Sequence, residues 1–196
     1  MRLAYDLAEG PARIAAGGMS SLMDTPGVHA ASHRPSEILA TLKRLGFGVA
    51  VAVPDGWLGE ILVRIEREPA MRLIRATHEE EALAIACGAR LGGARTVMFV
   101  QNAGLLSMGT GMVCLAQRYQ FPLLLLVSYR GTPDDPIYYH VHKGRVTEPV
   151  LKGLGVTYSR ADRNRPVGPQ VEAAATYAEE ASSPCALLLS REDVQW

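Results

Sequence analysis

The feature that most constrains the fold is a repeated alternation between short, almost uninterrupted apolar runs and stretches of helical periodicity. Runs such as Val49-Ala50-Val51-Ala52-Val53 and Thr96-Val97-Met98-Phe99-Val100 are the length of a strand and too short for a buried helix. A strand that is apolar on both sides is buried on both faces, which is typical of parallel sheets covered by helices. The sequence therefore predicts an α/β fold with an open, mainly parallel sheet and helices on both faces.

The predicted elements follow one another in a regular order. Strands are predicted at about residues 49–53, 71–75, 96–100, 122–128, 156–158 and 185–190. Helices are predicted at about residues 35–45, 57–67, 77–91, 105–119, 146–154 and 167–181. Residues 129–143 are left as a long irregular segment, and long loops of this kind are often functional. Residues 1–34 are rich in Gly, Ala and Ser and are expected to be an extension of a single domain, residues 35–196.

Composition and charge argue against several classes of protein. Twenty basic residues balance twenty acidic ones without a basic stripe, so neither nucleic acid nor an anionic membrane is an expected partner. The sequence shows neither the pattern of a signal peptide nor an apolar run long enough to span a membrane, and we therefore expect a cytoplasmic protein. Cys87, Cys114 and Cys185 stand far apart in apolar runs, and we expect buried free thiols rather than disulfides or metal ligands.

Three adjacent glutamates, Glu79, Glu80 and Glu81, stand at the beginning of the third predicted helix. Thr77 is the expected N-cap, and Glu80 completes a capping-box pattern with it. Glutamates at this position complement the helix dipole, which explains them without any ligand. Three neighbouring carboxylates also repel one another, so one of them has reason to contact a ligand. The residues alone leave both roles open.

Two further segments carry polar groups where the predicted strands end. Ligands of parallel sheets bind beyond the carboxyl ends of the strands. Gln101-Asn102-Ala103-Gly104 offers two amides that donate either to a substrate oxygen or only within a turn. His140 and His142, in residues 129–143, are candidates for proton transfer if that segment is extended, or are surface histidines. Glycine fingerprints for dinucleotides or phosphates are absent, and no metal site is predicted.

Three motifs taken together resemble the pyrimidine-binding domain of thiamine-diphosphate enzymes, and within them the sulfopyruvate and phosphonopyruvate decarboxylases. The motifs are Thr77-His78-Glu79-Glu80-Glu81-Ala82-Leu83-Ala84-Ile85-Ala86-Cys87-Gly88, Val97-Met98-Phe99-Val100-Gln101-Asn102-Ala103-Gly104, and Phe121-Pro122-Leu123-Leu124-Leu125-Leu126-Val127-Ser128-Tyr129-Arg130-Gly131. The resemblance extends over residues 35–190. It implies thiamine diphosphate as the cofactor and a small 2-oxo acid as the substrate.

The resemblance also implies a role for one glutamate. In the family, the glutamate nine residues before the helix glycine contacts N1′ of the aminopyrimidine ring, and counting back from Gly88 gives Glu79. Glu79 is therefore expected to bind the cofactor and to act in catalysis by sharing a proton with N1′. The other candidates are Thr77 and Gly104 for the cofactor, Gln101 and Asn102 for the substrate, and His140 and His142 as catalytic proton donors.

The chain departs from these relatives in the two segments that face the substrate in the family. It has Ala103-Gly104-Leu105-Leu106-Ser107 where the decarboxylases usually have Ser-Gly-Leu-Gly-Asn. It also has Tyr139-His140-Val141-His142 where they usually have residues of the Pro-Ala-Gln type. The tail group of the 2-oxo acid is therefore not predicted.

The sequence contains no Gly-Asp-Gly motif, which in this superfamily holds the diphosphate and Mg²⁺ together with a later Asn. The resemblance thus implies the alpha subunit of a decarboxylase that releases CO₂ and an aldehyde as a hetero-oligomer. Its beta subunit would carry the Gly-Asp-Gly…Asn domain and hold Mg²⁺. Two alternatives remain: a carboligase or other lyase subunit with the same cofactor, and a non-catalytic interaction or regulatory subunit of the same fold.

Overall fold

The computed structural model describes residues 34–194, which contain a six-stranded sheet. The strands are β1 (Val49–Ala52), β2 (Arg72–Arg75), β3 (Thr96–Gln101), β4 (Leu124–Ser128), β5 (Thr157–Arg160) and β6 (Cys185–Leu189). They lie in the order β2-β1-β3-β4-β6-β5, and each described pairing is parallel.

The helices connect these strands in chain order. They are α1 (Arg34–Arg44), α2 (Gly59–Glu66), α3 (Glu79–Leu91), α4 (Asn102–Ser107), α5 (Val141–Gly153), α6 (Val167–Ala181) and α7 (Arg191–Val194). A single helical turn (Gly109–Gly111) and a π-helical segment (Met112–Gln117) follow α4, and a 3₁₀ turn (Tyr138–His140) precedes α5. None of the helices within residues 34–194 combines the length and apolar character that crossing a bilayer requires.

The sheet separates two hydrophobic cores. One core joins α1, α2, α6 and α7 to one face of the sheet, and the other joins α3, α4, the π-helical segment and α5 to the opposite face. In β3, Val97 and Phe99 belong to the first core, whereas Met98 and Val100 belong to the second. Because successive side chains of a strand point to opposite faces, a continuous apolar run was needed here. The predicted α/β fold with a parallel sheet is confirmed.

The chain changes direction at the boundary between β1 and β3. From β1 it moves outward to β2, and it then returns to β3 on the other side of β1. The helix after β1 lies on one face and the helix after β3 on the other, which opens a crevice at the carboxyl ends of these two strands. Asp55 follows β1 and Gln101 ends β3, so both lie at this crevice.

Several predicted boundaries were wrong. The helix expected at residues 105–119 begins at Asn102 and gives way to a π-helical segment. The irregular segment expected at residues 129–143 ends earlier, because α5 begins at Val141 instead of residue 146. The predicted extension, residues 1–34, lies outside the described residues except for Arg34, where α1 begins.

The three cysteines do not share one environment. Cys87 and Cys185 are buried free thiols as predicted, and burial raises the pKa of each to about 11. Cys114 is exposed, and the prediction was wrong for it because its position in the π-helical segment faces away from the sheet. A buried thiol with a raised pKa is a poor nucleophile, so Cys87 and Cys185 serve packing.

Candidate functional site

The carboxyl group of Glu79 lies directly over Gly104, where the first turns of α3 and α4 meet. A Cβ added to Gly104 would lie 2.0 Å from Glu79 Oε1 and 2.1 Å from Glu79 Cδ. Only glycine leaves room for the carboxyl group at this position. Glu79 is half-buried, and within residues 34–194 no group donates a hydrogen bond to its carboxylate. The structure thus brings two predicted cofactor contacts together and leaves the carboxylate available to a ligand.

The neighbouring glutamates have different roles from those expected. His78 is the N-cap of α3, and it makes no side-chain capping bond. Glu81 Oε2 accepts hydrogen bonds from Thr77 N at 2.8 Å and Thr77 Oγ1 at 2.7 Å. These bonds from Thr77 hold the pKa of Glu81 below its ordinary value. The predicted box of Thr77 with Glu80 was wrong because the helix begins later, at Glu79, and this leaves Glu80 exposed.

Asn102 joins the end of β4 to α5. Its side chain is fully buried, and Nδ2 donates to Arg130 O and to Thr147 Oγ1, both at 2.9 Å. Both donors of the amide are used within the protein, whereas its Oδ1 has no hydrogen-bond partner within residues 34–194, and the predicted substrate contact of Asn102 stays a prediction.

Gln101 links two charged side chains across the crevice. Its Nε2 donates to Asp55 Oδ2 at 2.7 Å, and its Oε1 accepts from Lys143 Nζ at 2.8 Å. The side chain is only half-buried, but both of its polar ends are engaged. Gln101 is therefore placed to position Lys143, and its predicted substrate contact remains a prediction.

Asp55 organises the crevice, and it was not among the candidate residues predicted from the sequence. Its Oδ1 accepts from Trp57 N at 2.9 Å and from Ser128 Oγ at 3.1 Å. Its Oδ2 accepts from Gln101 and, at 2.5 Å, from Arg130 Nη2. The Arg130 guanidinium also lies 4.7 Å from the centre of the Trp57 ring. The signal was present in the sequence: a charged residue just beyond a buried strand, at the edge where ligands bind.

The two candidate histidines are separated by the start of a helix. His140 is 3% exposed, and its Nδ1 donates to Asp135 Oδ2 at 2.6 Å. Burial alone would raise the pKa of Asp135, but hydrogen bonds from Gly131 N, Ile137 N and His140 lower it. His142 is exposed on the first turn of α5. The segment is not extended, because residues 138–142 form helical turns, and the roles of both histidines as proton donors stay predictions.

Two glycines fix the position of His140 and of the N-terminal end of α5. Gly131 has a φ of +82°, and a Cβ on it would lie 2.1 Å from His140 O. A Cβ on Gly144 would lie 2.3 Å from Gly131 O. The backbone after β4 therefore packs directly against the first turn of α5, and both contacts exclude any side chain. This packing fixes the start of α5, from which Lys143 reaches Gln101 at the crevice.

We expect Gly144→Ala to destabilise the protein by about 3 kcal/mol, because the new methyl group collides with backbone that cannot rotate away. The melting temperature should then fall by about 6–12 °C. Gly153→Ala is the matched control, because it lies in the same helix with no heavy atom within 4 Å of its added Cβ. A thermal melt of both variants tests this, and equal melting temperatures would show that the close packing of Gly131 and Gly144 is not needed.

Within residues 34–194, no group of three or more His, Cys, Asp or Glu side chains is arranged to hold a metal ion. The chemistry that this part of the chain offers is hydrogen bonding and proton exchange. Glu79 supplies an acceptor above bare backbone, and the dyad of His140 and Asp135 supplies an oriented imidazole.

Comparison with known proteins agrees with this geometry. Residues 36–147 match the family described as "Thiamine pyrophosphate enzyme, N-terminal TPP binding domain". Sulfopyruvate decarboxylase subunit alpha of Methanothermobacter thermautotrophicus is 31% identical over 62% of this chain and 73% of its own length. The subunit of the same name from Methanocaldococcus jannaschii is 30% identical over 77% of this chain and 89% of its own length. Phosphonopyruvate decarboxylase of Streptomyces viridochromogenes is 33% identical over 59% of this chain and 30% of its own length.

Solved structures share the fold at low sequence identity. Benzoylformate decarboxylase from Polynucleobacter necessarius superposes with a TM-score of 0.60 at 19% identity, over 83% of this chain and 30% of that chain. The 2-oxoglutarate:ferredoxin oxidoreductase from Magnetococcus marinus gives a TM-score of 0.61 at 16% identity, over 83% of this chain and 29% of that chain. This chain thus spans about a third of each of those proteins. The family match covers more than half of the residues of this chain. The chain therefore belongs to the thiamine pyrophosphate enzyme family and contains its N-terminal TPP binding domain.

Proposed function

We propose that this chain is the alpha subunit of a thiamine-diphosphate-dependent 2-oxo acid decarboxylase. Two of its relatives are named sulfopyruvate decarboxylase subunit alpha, and this chain covers most of the length of both. A third is named phosphonopyruvate decarboxylase. The observation that carries the proposal is the free, half-buried carboxylate of Glu79 above Gly104.

The residues around Glu79 fit the aminopyrimidine ring of thiamine diphosphate. A flat ring can lie close to the backbone only where no side chain projects, and Gly104 provides such a position beside the carboxylate. The ring nitrogen N1′ needs a partner that can give or accept a proton, and Glu79 has no competing donor within the described residues. Small buried residues of α3, among them Ala82 and Ala86, allow α3 to pack closely on the sheet and hold this carboxylate in place.

The proposed reaction cleaves one carbon–carbon bond. A 2-oxo acid and one proton give CO₂ and an aldehyde, since the bond between the carbonyl carbon and the carboxylate breaks and a C–H bond replaces it. Bound thiamine diphosphate supplies the electron sink for this cleavage. Glu79 would hold the proton shared with N1′ of the bound cofactor. We assign delivery of the proton to carbon to His140, whose ring is oriented by Asp135 through Nδ1, so that Nε2 is the nitrogen left for the substrate.

The proposal includes a partner subunit. The chain has no Gly-Asp-Gly motif, and the name "subunit alpha" of two relatives implies a beta subunit in those proteins. We propose that a beta subunit with a Gly-Asp-Gly…Asn domain holds the diphosphate and Mg²⁺. The active site would then lie between the two chains, with Glu79 facing the ring from this side.

We expect His140→Asn to lower kcat by about 100-fold. Asparagine can place an amide donor near the position of Nδ1 and keep the bond to Asp135, but it has no titratable nitrogen. His142→Asn is the matched control, because His142 is exposed two positions along the chain, and we expect its kcat to stay within about twofold, since the side chain has no described partner. The same kcat for both variants would exclude His140 as the proton donor.

The function is tested by mixing the chain with a beta subunit, thiamine diphosphate and Mg²⁺ and following 2-oxo acid consumption and CO₂ release. We expect turnover that requires all four components. An aldehyde should form in equal amount to CO₂. Consumption of the acid without CO₂, or a ligation product in place of the aldehyde, would contradict the proposed reaction.

A further inference from the structure

A cluster rich in hydrogen-bond donors lies at the crevice beside the Glu79 site. Lys143 and Arg130 bring two cations to it, and Asp55 is the carboxylate that pairs with Arg130 at 2.5 Å. Gln101 connects the cluster, since it bonds to Asp55 with one end and to Lys143 with the other. Asp135, a second carboxylate that acts on the charge of Lys143, is already engaged by His140 and by two backbone amides.

Lys143 is a cation without a matching anion in its immediate contacts. Its hydrogen bond goes to the neutral amide oxygen of Gln101. Lys143 is half-buried, and its pKa is lowered, first by the loss of water around it and then by the positive charge of Arg130, although Asp135 and Asp55 oppose this. Lys143 also lies in the first turn of α5, which contains no acidic residue, so that the helix dipole disfavours the cation as well.

Arg130 shows the same excess of donors. Its side chain is nine-tenths buried, and its Nε has no acceptor within residues 34–194. A buried guanidinium normally finds acceptors for its N–H groups, because an unpaired buried donor is costly. The cluster therefore holds more donors and more positive charge than its own acceptors balance.

We propose that Lys143, supported by Gln101 and Arg130, is a specificity-determining residue that binds a second acidic group on the substrate, at the end opposite the 2-oxo carboxylate. An anion there would satisfy the donors of the ammonium group and relieve the repulsion between the two cations. The ligand class is a 2-oxo acid whose carbon 3 carries a sulfonate, phosphonate or carboxylate. Lys143 acts on binding and takes no part in proton transfer.

The position of the cluster agrees with this role. Gln101, which holds Lys143, immediately precedes α4, and Gly104, against which Glu79 packs, lies in the first turn of that helix. Gln101 and Gly104, which hold the cation and contact the carboxylate, are thus about one helical turn apart along the chain. The statement that the bound anion is the substrate rests on the proposed function. The binding of an anion by Lys143 does not depend on it.

The test measures binding of an unreactive probe to the full-length chain by calorimetry. The probe is 3-sulfopropanoate, with propanoate as the comparison that lacks the sulfonate. We expect Lys143→Gln to weaken binding of 3-sulfopropanoate by at least about tenfold, because a charge-assisted hydrogen bond is lost. Lys143→Arg should recover most of the affinity. Lys152→Gln, an equal change of charge at an exposed position of the same helix, should leave the affinity within about twofold.

Glu79→Gln separates this inference from the proposed function. If Lys143→Gln weakens binding while Glu79→Gln binds the probe normally, the anion subsite stands whether or not the reconstituted complex has decarboxylase activity. Equal affinity of the wild type and Lys143→Gln would overturn the inference, and so would failure of the wild type to bind 3-sulfopropanoate more tightly than propanoate. An equal loss of affinity with Lys152→Gln would also overturn it, since attraction by net charge would then explain the binding.

Discussion

Glu79→Gln should lower turnover of the reconstituted complex by at least about 100-fold, because glutamine cannot hold a proton at N1′ of the cofactor. The change should leave the fold intact, since no described group donates a hydrogen bond to the Glu79 carboxylate. The expected loss of stability is about 0.3–1 kcal/mol, the value of one carboxylate at a helix N-terminus. Steady-state kinetics and a thermal melt measure the two effects separately.

The control for this prediction lies on the same turn of α3. Glu80→Gln removes the same charge from an exposed position and should leave turnover within about twofold. Similar losses of turnover in the two variants would mean that turnover depends on negative charge at the N-terminus of α3 and not on a contact between Glu79 and the cofactor. Full turnover in Glu79→Gln would exclude the proposed mechanism and favour the reading of this chain as a non-catalytic subunit.

Gly104→Ala should be nearly as damaging to turnover although it removes no functional group. The added Cβ would lie 2.0–2.2 Å from Oε1, Cδ and Cγ of Glu79. The glutamate side chain is flexible and can rotate away, so we expect the protein to fold with a loss of about 1–3 kcal/mol. The rotated carboxylate no longer faces the ring, and we expect turnover to fall by about 100-fold, since a small misplacement of a catalytic group has an effect of this size.

A double variant shows whether Gly104 acts through Glu79. Adding Gly104→Ala to Glu79→Gln should cause little further loss of turnover, because the group that the methyl displaces is already inactive. Gly109→Ala is the matched control, since its added Cβ would lie no closer than 3.8 Å to the nearest atom, which belongs to Leu154. If the two single losses multiply in the double variant, Gly104 has a role of its own, and the contact with Glu79 is not what requires glycine there.

The architecture could be read from the sequence because its signals are local. A strand buried on both faces has to be apolar at each position, and β3 and β4 show this in their sequence. The bounds of α6 agree with the predicted helix, because its buried small residues recur at helical spacing between Pro166 and the left-handed Ser182. Glu79 was chosen by its distance from a glycine in a motif of the family, and its role stays a prediction that agrees with the packing of its carboxyl group against Gly104.

The rest of the site depends on contacts between residues that lie far apart in the chain. Asp55 meets Gln101 and Arg130 across 46 and 75 positions, and no local pattern around Asp55 indicates either partner. The start of α5 was misplaced for a related reason, because close packing of Gly131 against Gly144 allows helical turns in a segment that resembles a loop. The choice between Glu80 and Glu81 as the capping residue depended on a shift of one residue in the N-cap, from Thr77 to His78, which three adjacent glutamates cannot reveal.

The central claim is that Glu79 activates bound thiamine diphosphate through its contact with the aminopyrimidine ring. It is tested most directly by the rate at which the C2 proton of the cofactor exchanges with deuterium, measured by rapid quench and NMR without substrate. We predict that the wild-type complex accelerates this exchange far above the rate of the free cofactor and that Glu79→Gln returns it to near that rate, whereas Glu80→Gln has no effect. Equal acceleration by the wild type and Glu79→Gln would contradict the claim.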